Sequence, residues 1–165
     1  MSDYCVVVSG GAHARFFTLE PVEFPELESG PRLVDCGELF NPEKETPERD
    51  LYTDSKPGRG RSPQGGRAHS YDDHRSKHEG EFERRFARKV IQEIRRIARA
   101  NEARYVVLAA PARMLGLLRQ ELDTIFKQGL EVHKLAKDMT KFSPKQIHDH
   151  LAKTRLLPAR KRPGA

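Results

Sequence analysis

Few residues in this chain have the types and spacing needed for chemistry. His69, His74 and His78 stand with Asp72 and Asp73, and the His74/His78 spacing of four would bring two imidazoles to one side of a helix, as a zinc site needs. No cysteine joins them, so solvated histidines are the expectation. Asp3 and Asp35 could approach each other. Two-metal hydrolysis, however, needs carboxylates on central strands that hold ions about 4 Å apart. The strand-like runs Tyr4–Val8 and Tyr105–Ala110 carry no acid. Ser9 lies beside Gly10-Gly11 but lacks the glycine pattern of a nucleophile elbow, and Cys36 has no histidine that sequence can assign to it. Gly10-Gly11 has no GKS/T ending, and a hairpin turn accounts for it. The expectation is no catalytic residue, no metal site and no cofactor.

Binding is the remaining chemistry. Lys56 to Gly66 alternates arginine with glycine and proline and includes Arg59 and Arg61, with Arg67 next. Arginine offers forked donors to phosphate, and glycine allows close backbone approach. A helical pattern follows, bearing Arg84, Arg85, Arg88, Lys89, Arg95, Arg96 and Arg99. Loop and helix would together form a basic surface. Only Tyr71 is nearby for stacking, so phosphate contact rather than base readout is expected.

The elements that must position this surface are legible from periodicity. Tyr4–Val8 is apolar and β-branched, as a strand buried on both faces should be. After the glycine turn, His13–Leu19 returns as a hairpin strand, and Arg32–Leu39 is a third strand. Residues 41–78 have little to bury and four prolines, which predicts a mobile insertion. Phe82, Phe86, Val90, Ile91, Ile94, Ile97 and Ala98 recur at helical spacing on one stripe, ending near Asn101. Tyr105–Ala110 is a second buried strand. A helix from Ala112 to Phe126 and a half-exposed strand at Leu130–Leu135 come next. Ser143-Pro144 caps and starts a last helix through Ile147 and Leu151. Residues 153–165 read as a basic disordered tail. The order β-β-β-α-β-α-β-α predicts an α/β, ribonuclease-H-like mixed sheet over residues 1–152, with the first and fourth strands as its central pair. Another strand order in a three-layer α/β fold is the alternative.

Composition agrees with one modest core. The 165 residues are 36% hydrophobic and 33% charged, without tryptophan. No apolar run approaches the roughly 18–20 residues of a membrane span. The opening residues lack a signal peptide's basic region and cleavage site, so a cytoplasmic protein is expected. Cys5 and Cys36 could face each other on neighbouring strands, but buried reduced thiols are expected. The net charge of +6 is uneven. Residues 1–54 hold four basic and twelve acidic residues (−8), and the remainder 26 and 12 (+14). That asymmetry suits an anionic partner for the later part, nucleic acid before membrane surface.

Several blocks carry a family resemblance. Phe86-Ala87-Arg88, Tyr105–Pro111, Leu115-Gly116-Leu117-Leu118-Arg119 and Lys137–Pro144 resemble the bacterial host-attachment protein family, as does the opening from Val7 to Arg15. That family is similar in turn to the central domain of archaeal and eukaryotic peptide-chain release factors, which implies a ribonuclease-H-like fold. In those factors a Gly-Gly-Gln motif before the long helix enters the peptidyl-transferase centre. Here Gln64-Gly65-Gly66 presents the same letters in another order, so no catalytic role carries over. The resemblance implies a basic loop and helix directed at RNA or the ribosome. A protein partner in attachment or envelope processes is the alternative. The matched Arg15, Gly116, Arg119, Lys137 and Asp138 have no assigned role. Gly116 would let its helix pack closely on the sheet, Arg119 would be a surface charge, and Lys137 with Asp138 an ion pair or cap.

Overall fold

A computed structural model describes residues 2–41, 65–123 and 129–164, with side chains described from Gly80 onward in the long helix. Five strands, β1 (Tyr4–Ser9), β2 (His13–Glu20), β3 (Arg32–Phe40), β4 (Tyr105–Ala110) and β5 (Glu131–Ala136), form one sheet in the order β3-β2-β1-β4-β5. The first three make an antiparallel meander, and β4 and β5 add in parallel beside β1. The two all-apolar strands, β1 and β4, are therefore neighbours inside the sheet, and the element order is the ribonuclease-H-like one expected.

Three helices complete the layers: α1 (Gly65–Asn101), α2 (Ala112–Glu121) and α3 (Pro144–Lys153). Side chains alternate across a strand, so each central strand feeds two cores. Cys5, Val7, Phe16, Val106 and Leu108 face α1 and α2, meeting Phe86, Val90, Ile94, Met114 and Leu118. Val6, Val8, Phe17, Val107 and Ala109 face the other way, against Ile147, Leu151 and Leu157. Each Val, Leu, Ile, Phe or Met side chain among these, fully buried, contributes about 1.5–3 kcal/mol.

Local chemistry sets the boundaries. Between β2 and β3 the register slips at Phe16/Phe17, opposite Gly37 at φ 117°, where Asp35 Oδ1 accepts the Gly37 N–H at 2.7 Å. Glycine is suited to that backbone angle. Ser143 and Gln146 form a reciprocal capping box at the start of α3, with proline at its first position. Buried Asn41 closes β3: its N–H donates to the Ala12 carbonyl, and its side-chain amide to the Phe82 carbonyl of α1 at 3.3 Å.

Some expectations shift. The backbone of α1 is helical from Gly65, inside the stretch read as an insertion, while 42–64 lie outside the described residues. The second helix is described over Ala112–Glu121, and its expected end at Phe126 lies outside the described residues. In place of a disordered tail, the chain beyond α3 is docked on the body. Leu157 is buried, Lys161 exchanges backbone hydrogen bonds with Gly30, and the Gly164 N–H reaches the Pro25 carbonyl. Apolar residues Leu156 and Leu157, lying before the charged run, supply the reason. The two cysteines do not sit on neighbouring strands, because β2 lies between β1 and β3; both are free thiols.

Candidate functional site

The basic surface is built by the helical period. With Phe86, Ala87, Val90, Ile91, Ile94, Ile97 and Ala98 buried on one side of α1, the seven cations from Arg84 to Arg99 are turned to the other. Glu93 is the single acid in that span. It takes Arg96, both oxygens lying 3.1 Å from Nε. Arg85 pairs with Glu81 at 2.9 Å, and Arg88 reaches Glu121 of α2 at 3.5 Å. Arg84, Lys89, Arg95 and Arg99 have no carboxylate partner among the described residues. Arg95, Arg96 and Arg99 line a shallow groove beside Gln92. Arg113 of α2 binds the buried Glu83 of α1 at 3.0 Å and ties the two helices together.

The other part of the expected surface is not described. Arg59 and Arg61 lie outside the described residues, as do the side chains of Arg67 and of the His69, Asp72, Asp73, His74 and His78 cluster, and Gln64. Among the described residues no three His, Cys, Asp or Glu come together as metal ligands would. Asp3 sits at the start of β1, where its carbonyl accepts the N–H groups of Arg104 and Tyr105. Asp35 is on edge strand β3 with its carboxylate engaged by Gly37, two strands from β1. Ser9 is buried and donates to the Gly10 carbonyl at 2.9 Å.

The matched positions of unassigned role divide into two groups. Arg15, Lys137 and Asp138 converge where the parallel strands end. Arg15 donates from one guanidinium nitrogen to the carbonyls of Thr140 (3.0 Å) and Phe142, and stacks over the Phe17 ring. Asp138 Oδ1 accepts both the N–H and the hydroxyl of Thr140, at 3.0 and 2.6 Å. Lys137 lies over the Phe142 ring, 5.5 Å from its centre. Asp138 thus caps a turn rather than pairing with Lys137. Across this turn Gly10 comes close to Asp138 and Thr140, where an added Cβ would stand at ordinary contact distance. This cluster holds the loop before α3 in place and has no arrangement that activates a nucleophile.

Gly116 and Arg119 lie elsewhere, on the exposed side of α2. A Cβ on Gly116 would meet nothing within 4 Å, which corrects the expected close packing: the residue faces outward, and the buried positions of α2 are Met114 and Leu118. Sequence reasoning missed the contribution of Arg15 to the loop, since its partners are backbone carbonyls far along the chain. It also missed the buried His148, which a polar helical context hides.

A mixed α/β sheet of this order with a basic first helix defines the class of the domain. Residues 5–151 match the family model described as "Protein required for attachment to host cells", and the chain belongs to that family. No curated protein and no solved structure matches it. No helix among the described residues is long and apolar enough to cross a membrane.

Proposed function

We propose that the domain is a non-catalytic binding module for RNA, as presented by the ribosome, with the outer face of α1 as its contact surface. The observation that carries this reading is the set of four cations without carboxylate partners among the described residues, Arg84, Lys89, Arg95 and Arg99, on one packed helix. A cation already paired gains little by exchanging partners, whereas an unpaired one releases counterions from a phosphate backbone. Arg88, tied to Glu121, is a weaker contributor. The expected likeness to release-factor central domains gives the same direction, and Arg59, Arg61 and Arg67 would extend the surface.

Sedimentation with ribosomes at low and high salt tests this. The wild type co-sediments at low salt and is released at high salt. A variant with Arg84, Lys89, Arg95 and Arg99 changed to alanine is largely lost from the pellet. A second variant with Arg59, Arg61 and Arg67 changed to alanine measures the share of the loop. Equal pelleting of wild type and the α1 variant removes the helix from the reading. Failure of the wild type to pellet favours a protein adaptor instead.

A further inference from the structure

Where β1 begins, on the α3 side of the sheet, Tyr4 and Leu19 line a cavity of about 430 Å³. Its walls are the loop between β2 and β3, with Pro21, Val22 and Pro25, and the docked segment beyond α3, which brings Lys161 and Arg162. We propose that this cavity binds a guanine nucleotide, its base stacked on Tyr4 and its phosphate held by Lys161 and Arg162.

Three rings stand in a row across β1, β4 and β5. Tyr4 stacks on Tyr105 with centroids 4.9 Å apart and planes 24° from parallel, and Tyr105 continues to His133 at 6.4 Å. Tyr105 lies on the β4 side of Tyr4, so the second face of the Tyr4 ring turns towards β2. Leu19 of β2 and the cavity lie on that side. Among the described residues no ring stacks there. A planar group entering the cavity extends the row by one place, at the offset spacing that aromatic faces prefer. The size suits a small molecule, since ligand sites run from roughly 300 to 1,000 Å³ with apolar walls and few polar groups. The walls are fixed beforehand: Gly30 and Lys161 exchange backbone hydrogen bonds at 3.2 and 2.8 Å, and the Gly164 N–H reaches the Pro25 carbonyl at 3.0 Å. Preformed walls lower the ordering cost of binding.

The polar groups select the ligand. Glu28 lines the cavity with Arg32 3.9 Å away. Asp3, Lys161 and Arg162, all exposed, have no ion-pair partner among the described residues. Their signs differ, so the ligand must offer hydrogen-bond donors at one point and negative charge at another. Burial, then Tyr105, Asp3 and Glu131, raise the pKa of the Tyr4 hydroxyl, which puts the Asp3 carboxylate near that ring. A carboxylate accepts two parallel N–H bonds. Guanine presents two adjacent N–H donors on one edge, whereas adenine presents an amino group beside an acceptor and uracil one N–H between two acceptors. A phosphate ester supplies the anion for lysine and arginine. The site lies across the sheet from the outer face of α1 and does not rest on the RNA reading.

Titration of the full chain with guanosine 5′-monophosphate (GMP), its adenine and uracil counterparts and guanosine tests the site by calorimetry and NMR near neutral pH. Saturable GMP binding is expected, moving the Tyr4 ring and the Leu19 methyl groups, with the other two nucleotides about fivefold weaker or more. Asp3→Asn reduces that preference. Lys161→Ala with Arg162→Ala brings GMP down to the affinity of guanosine. Tyr4→Phe retains binding, and Tyr4→Leu weakens it about fivefold or more. The exposed Asp3, Lys161 and Arg162 variants carry the test should Tyr4→Leu unfold. Changing Arg84, Lys89, Arg95 and Arg99 to alanine leaves GMP binding unaltered, which separates this site from the RNA surface. In that background, a short RNA with a 5′-phosphorylated guanosine that binds more tightly than GMP identifies an RNA end as the source. Equal or weaker binding identifies the free nucleotide. No saturable GMP binding, equal affinity for all three nucleotides, or GMP binding indifferent to the Asp3 and the Lys161/Arg162 variants would each overturn the assignment.

Discussion

Arg15 on β2 donates to the carbonyl of Phe142, 127 residues further along the chain. With the second bond to Thr140 it ties the strand beside β1 to the loop that launches α3. Removing it leaves two carbonyls without their donor in a partly buried setting. Hydrogen bonds to charged groups are worth about 1.5–3 kcal/mol. Arg15→Ala is therefore expected to lower stability by about 2 kcal/mol, or ~4–8 °C in Tm for a chain of this size. Thermal and denaturant unfolding check this, and Arg15→Lys, with one fewer arm, falls between.

Binding to single-stranded RNA should follow salt as counterion release requires. The logarithm of affinity falls with a slope of ~0.7 per phosphate neutralised. Changing Arg84, Lys89, Arg95 and Arg99 to alanine is expected to reduce that slope by roughly 3. Fluorescence anisotropy at several salt concentrations measures it, and an unchanged slope rules out the helix.

The two thiols should differ sharply. Burial, with a smaller effect from Cys36 and Glu93, pushes the Cys5 thiol up to about 12. The reactive species is the thiolate. Iodoacetamide is expected to label the half-buried Cys36 in the native state and Cys5 only on unfolding, as mass spectrometry after quenching would show.

His150 titrates low. Partial burial is the larger cause, followed by Lys137 and Lys153, so its folded value lies below the ordinary 6.5. The unfolded chain then binds more protons in that window, and stability rises with pH there. The contribution is complete above about 6.5 and declines as pH falls towards the folded value. NMR titration is expected to place the midpoint below 6.5, and Lys137→Ala to move it upward.

Much of this was written locally. Tyr105–Ala110 is a strand with the bounds its unbroken apolar run implied, and the stripe from Phe86 to Ala98 is the buried side of α1. Ser143-Pro144 begins a helix because capping is a matter of a few adjacent residues. What sequence could not carry depends on distant partners. Arg15 looks like any charged strand residue until two far carbonyls arrive. The charged run after Leu157 suggests disorder, yet its backbone finds Gly30 across the molecule. His148 sits between polar neighbours and is still nearly solvent-free, because β3 and the segment around Pro158 cover it.

The strict alternation of β1 and β4 has an outcome for experiments on both surfaces. Odd positions of β1 serve the layer bearing the arginines, and even positions serve the layer covered by α3. The five-stranded wall therefore separates the proposed RNA surface from the core under α3, so a change made in one layer touches no side chain of β1 that serves the other.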